Sequence, residues 1–79
     1  MRVDKFLKVS RIIKRRTVAK DVCDGGKVEV NGRVAKAGTT LAVGDVIEIQ
    51  FGEKRFKAKV KELRETVPAK EADTLYEVL

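Results

Sequence analysis

RVDKFLKVSRIIKRRT, residues 2–17, carries its apolar side chains at helical spacing. On a wheel of roughly 100° per residue, Val3, Phe6, Leu7, Ser10 and Ile13 gather on one side, and Asp4, Lys5, Lys8 and Arg11 gather opposite. The spacing predicts an amphipathic helix with a basic outer face. Ile12 falls on the wrong side, so the helix is expected to end or tighten near Ser10 and Arg11 and let the chain turn.

Downstream, Thr17 to Asp24 repeats the logic, with Val18, Ala19, Val22 and Cys23 on one stripe and Lys20, Asp21 and Asp24 on the other. Gly25-Gly26 then stops a short second helix, because glycine accepts the left-handed conformation that closes a helix C-terminus. Lys14-Arg15-Arg16 crowds the turn between the helices and the first turn of the second. The exposed N–H groups there also favour anions, including phosphate.

After the glycines the period becomes two. Lys27 to Val30, the Asn31-Gly32 pair and Arg33 to Ala35 read as a hairpin, since Asn-Gly is the strongest two-residue turn signal for paired strands. Gly38 and Gly44-Asp45 punctuate the next loop. From Val46, the residues Ile47, Ile49 and Phe51 alternate with Glu48 and Gln50. Gly52-Glu53 turns the chain, and Phe56, Ala58 and Val60 alternate with Arg55, Lys57, Lys59 and Lys61 on the return. The expected sheet is small and antiparallel, with one apolar and one wet face. In Leu63 to Leu79, Pro68 interrupts any continuous element. Both helical and strand spacings fit there, and a short helical turn followed by an extended end on the sheet is expected. The fold class is α+β, with two helices and a small antiparallel sheet over residues 1–61 and a short C-terminal extension over 62–79.

Seventy-nine residues make one domain with a small core, supplied by aliphatic residues with Phe6, Phe51, Phe56 and Tyr76 as the bulky pieces. Net charge is +6, and residues 1–20 hold eight basic groups against one acid, whereas the remainder holds ten against eleven. A polarised patch of this kind focuses potential on a polyanion. No histidine is present, which removes the commonest general base and metal ligand. The single Cys23 lies on an apolar stripe and reads as a structural thiol. Neither catalysis nor a cofactor or metal is expected. One cysteine fits a reducing cytoplasm, and no stretch approaches the roughly 18 apolar residues of a membrane span.

Arginine suits phosphate because its planar fork donates two parallel hydrogen bonds, while lysine acts as a movable point charge. Arg2, Arg11, Arg15 and Arg16 are therefore the leading contact residues, followed by Lys5, Lys8, Lys14 and Lys20. Thr17 offers either a hydroxyl to phosphate or a helix cap. Asp4, the one acid in the patch, is expected to pair with a neighbouring arginine. The row Arg55, Lys57, Lys59, Lys61 reads better as a solvated strand than as a second RNA face.

Arg2-x-Asp4-Lys5-Phe6-Leu7, Arg11, the Lys14-Arg15-Arg16-Thr17 turn, Gly25-Gly26-Lys27-Val28-x-Val30-Asn31-Gly32 and Val43-Gly44-Asp45 occur in an order that resembles the RNA-binding domain first known from ribosomal protein S4. The resemblance covers residues 1 to 61. It implies two helices on a small bent antiparallel sheet, with RNA held by the helix pair and the hairpin loop. It carries the contact role onto Arg2, Lys5, Lys8, Arg11, Lys14, Arg15, Arg16, Thr17, Lys20, Asn31 and Arg33, with Lys36 peripheral.

The opening residues together with Glu71-Ala72-x-x-Leu75-Tyr76 look like the stand-alone bacterial members that act in ribosome-associated quality control, and their heat-shock relatives. That implies a monomer binding large-subunit rRNA and P-site peptidyl-tRNA on dissociated large subunits. There it would support alanine tailing of the stalled chain by a partner protein. A general rRNA-binding assembly or recycling factor is one alternative. A helix-turn-helix DNA-binding regulator is another, although the second helix offers few base-reading side chains. A protein adaptor working through the sheet face is a third.

With eight cations and almost no aromatic side chains in the patch, binding to RNA should be phosphate-dominated. If about six phosphates are neutralised, raising salt from about 50 to 200 mM should weaken binding on the order of a thousand-fold. Filter binding across a salt series checks this, and an affinity that barely changes would rule out an electrostatic clamp.

Overall fold

Helix α1 spans Val3–Val9 in the computed structural model, which describes residues 1–79. Its inward side chains Val3, Phe6 and Leu7 are fully buried, as their spacing requires, and Ser10 caps its end. The helix closes where Ile12 signals a change of face. Arg11 takes the left-handed conformation at φ 61°, its amide donates to the Lys8 carbonyl at 3.0 Å, and the Ile13 amide donates to the Leu7 carbonyl at 3.0 Å. Ile13 thereby returns to the core. Helix α2 spans Arg16–Asp24 and buries Ala19 and Cys23, while Val18, on the expected apolar stripe, is exposed. Gly26, at φ 76°, completes its C-terminus, and the Lys27 amide bonds back to the Val22 carbonyl.

Five antiparallel strands follow: β1 (Val28–Val30), β2 (Arg33–Val34), β3 (Val46–Phe51), β4 (Lys54–Val60) and β5 (Tyr76–Val78), ordered β2-β1-β3-β4-β5 across the sheet. Asn31 and Gly32 both have positive φ, 52° and 82°, which a tight primed hairpin turn between β1 and β2 needs. Register aligns Val28 with Ile49 and Ile47 with Ala58, so the inner face is apolar across the central strands. Glu29, Glu48 and Lys57 line up on the outer face. The C-terminal segment, ambiguous from its spacing, is helical and extended in succession. A 3-10 turn (Ala69–Leu75) drops Leu75 into the core, and β5 then pairs with β4.

One apolar cluster joins both helices to the sheet through Phe6, Leu7, Ala19 and Cys23 against Val28, Ile47, Ile49 and Val60. The loop between β2 and β3 contributes Ala35, Ala37 and Leu41 beneath the start of α1. Beyond Val18, Phe51 and Asp4 depart from their expected faces. Phe51 is 43% exposed because β3 runs past the helices into a hairpin tip where nothing covers it. Asp4, expected on the outer face of α1, is 2% exposed, for a reason that lies in the site itself.

Leu7→Ala should be severe. Truncating a fully buried leucine costs roughly 2–5 kcal/mol, and a domain of this size has only about 5–15 kcal/mol in total. A thermal melt should show a large fall in Tm, and a loss under about 1 kcal/mol would place Leu7 outside the core.

Candidate nucleic-acid interface

The amides that open α1 are already used. Val3 donates to the Thr39 carbonyl at 2.9 Å, Asp4 to the Ala37 carbonyl at 3.2 Å, and Lys5 to its neighbour's Oδ1 at 2.8 Å. These bonds seat the first turn on the loop between β2 and β3, and Arg2 forms an antiparallel bridge with Thr40. Asp4 lies at that seat with its carboxylate aimed across the helix pair. Arg2 donates to it through Nε at 3.1 Å and Nη2 at 3.3 Å, and Arg16, in the first turn of α2, donates through Nε at 3.4 Å. Burial opposes ionisation of Asp4. The bonds from Arg2, the Lys5 amide and Arg16 outweigh it and hold the carboxyl below the usual carboxylate value.

Both arginine side chains stay about half exposed, at 52% and 49%, although each is tied to Asp4. Along α1, the turn and α2, Lys8, Arg11, Lys14, Arg15 and Lys20 are exposed and enter no ion pair. Thr17 is exposed and makes no capping bond, which leaves its hydroxyl free. The backbone amides of Arg16, Thr17 and Val18 have no partner within the chain. Arg2, Arg15, Arg16, the Thr17 hydroxyl and unpartnered N–H groups thus lie together where the first turns of α1 and α2 meet, an arrangement suited to phosphate oxygens, whereas Lys8 and Arg11 lie along the flank of α1 beside Glu65.

Not every expected contact residue joins that surface. Lys5 is partly buried and paired with Glu65. The exposed side chain of Asn31 is engaged by a neighbouring loop: Nδ2 donates to Asp45 Oδ1 at 3.0 Å, and Oδ1 accepts from the Val46 amide at 2.9 Å. It fastens the hairpin to the start of β3. Arg33 and Lys36 are exposed and unpaired. Lys36 lies in the loop that seats α1, its amide bonded to Thr39 Oγ1 at 3.0 Å. That loop also adds Gly38, which lies against the Arg2 guanidinium. Gly38 was legible in the sequence only as punctuation.

Elsewhere the chemistry is quiet. Burial, followed by Asp4 and Asp24, pushes the Cys23 thiol up to about 11, so no thiolate forms near neutrality. No group of three His, Cys, Asp or Glu side chains is placed to hold a metal ion. An open hollow of about 400 Å³ on the outer sheet face is lined by Glu29, Glu48 and Lys57 among others, away from the cationic junction. On the same face Arg55 pairs with Glu48 and Glu29. No helix is long and apolar enough to cross a membrane.

Asp4→Asn should separate these roles. Because the folded carboxyl titrates below its unfolded value of about 3.9, its stabilisation is complete above that value and is lost as pH falls through the depressed one. The variant should therefore be less stable than the parent at neutral pH by roughly 2 kcal/mol, as charge-assisted bonds weaken. The difference should shrink as pH drops below about 4. Denaturant melts at several pH values read this, and a gap independent of pH would show that the charge of Asp4 contributes nothing.

Comparison with known proteins agrees with this geometry. Residues 1–47 match the S4 domain. The chain is 58% identical over 78 residues to the RQC P-site tRNA stabilizing factor of Halalkalibacterium halodurans, covering 99% of this chain and 89% of that one. It is 48% identical over 79 residues to the protein of the same name in Bacillus subtilis, covering 100% and 92%. Among solved structures, Vibrio cholerae Heat Shock Protein 15 superposes with a TM-score of 0.91 at 30% identity, covering 100% of this chain and 81% of that one. On these matches, and with the helix pair and sheet in place, the chain belongs to the S4-domain proteins, within the group of RQC P-site tRNA stabilizing factors.

Proposed function

We propose that this protein is a non-enzymatic factor that grips large-subunit rRNA and steadies a P-site peptidyl-tRNA on a dissociated large ribosomal subunit. It would thereby support alanine tailing of the stalled chain by a partner protein. The observation that carries the reading is the pair of arginines, one from each side of the helix junction, held on a single buried carboxylate. A fixed fork of this kind recognises phosphate geometry, whereas freely moving lysines supply attraction without orientation. The names carried by relatives at 48–58% identity over nearly the whole chain support the tRNA and quality-control parts.

Phosphate contacts by themselves discriminate little between RNAs. Selectivity must then come from shape, and an RNA surface formed where two molecules meet offers more of it than either alone. The helix junction and the loop carrying Lys36 and Gly38 lie side by side, so two RNA segments can be engaged from adjacent elements. The protein should bind peptidyl-tRNA-bearing large subunits at least about tenfold more tightly than empty subunits or free tRNA, since each additional phosphate contact multiplies affinity. Sedimentation of labelled protein with each particle measures this. Equal co-migration with empty and tRNA-loaded subunits would leave a plain rRNA binder.

A further inference from the structure

The connection between β4 and the 3-10 turn returns across the chain to the basic helix. Leu63 and Val67 pack against the core on either side of Glu65 and Thr66. The amides of Lys61 and Glu62 both donate to the Leu75 carbonyl, at 2.8 and 3.2 Å, which anchors the start of the segment. Between those anchors Glu65 reaches α1 and pairs with Lys5, sixty residues away in sequence. Together with Lys8 and Arg11, Glu65 and Thr66 line a recess of about 60 Å³ along the flank of α1. A negative charge is thus fixed within the run of cations that α1 presents.

An exposed ion pair of this kind adds little to stability, so its effect falls on what approaches the helix. An RNA backbone crossing the α1–α2 junction meets Arg2, Arg16 and Arg15 without passing Glu65. A backbone lying lengthwise over Lys5, Lys8 and Arg11 meets a carboxylate and finds Lys5 already engaged. Like charge placed against the wrong binding mode is a common source of discrimination. We propose that Glu65 is a specificity-determining residue: it closes the flank of α1 to phosphate and confines RNA to the helix junction. The inference rests on the RNA-binding reading above.

Glu65→Gln removes the charge and keeps the shape. Affinity and its salt dependence are measured for an unrelated RNA duplex and for the peptidyl-tRNA-bearing large subunit, with parent and variant side by side and a thermal melt to confirm equal folding. The duplex should bind the variant about three- to tenfold more tightly, with a salt slope steeper by about one phosphate. The subunit should change less than about twofold, since its contacts lie at the junction. Adding Lys5→Ala to Glu65→Gln should reverse the gain on duplex. Equal tightening of both ligands, or no change in either, overturns the proposal. A parent protein that binds neither RNA in a salt-dependent way would instead refute the RNA-binding reading itself, so the two failures are distinguishable.

Discussion

The carboxylate of Asp4 is the point on which the working surface depends. A charge that is nearly out of water is tolerated only when its oxygens are well bonded, and here two guanidiniums and a backbone amide supply the bonds. The same bonds act in the opposite direction on the arginines. Each long side chain would otherwise sample many rotamers, and ordering it on a ligand would cost affinity. With one edge already spent on Asp4, Arg2 and Arg16 are positioned before RNA arrives. One acid among eight cations therefore strengthens the site that a count of charges would say it weakens.

Reading the residues in order gave most of the architecture, and the reasons are local. The helix faces follow from the spacing of Val3, Phe6 and Leu7 and of Ala19 and Cys23. The hairpin turn follows from the left-handed tolerance of Asn31 and Gly32, and the alternation in β3 and β4 follows from the pleat. What was not legible depends on segments far apart in the chain. Asp4 is buried because Arg16 and the loop around Ala37 close over it, and no periodicity reports that. Asn31 has a polar side chain in a turn, which reads as available, yet Asp45 and Val46 occupy it. Lys5 looks like its neighbours until Glu65 arrives from sixty residues downstream. Phe51 matches the inner face of β3, but the sheet outruns the helices.

Two non-glycine residues adopt the left-handed conformation, and they differ in what compensates them. Asn31 tolerates it well and gains two side-chain hydrogen bonds. Arg11 has no such compensation from its side chain, and for such a residue the conformation costs roughly 1–2 kcal/mol. A glycine would close α1 at less strain. The arginine instead places a cation at the corner where α1 turns toward α2, beside Glu65 on the flank of α1.

Neither helix is long enough to persist alone. At 7 and 9 residues they fall below the roughly 12–15 at which isolated helices become marginally stable in water. α1 is held by hydrogen bonds to Ala37 and Thr39 and by a core that Leu75 completes. The cationic surface consequently depends on a core that draws on the chain as far as Leu75, and RNA behaves as a ligand of the whole fold. At a hundred times its Kd, such a ligand adds about 2.7 kcal/mol to stability, a large share of what a domain this small possesses. Bound RNA thus protects the chain as a whole, not the helix pair alone, from the transient unfolding that exposes it to proteolysis.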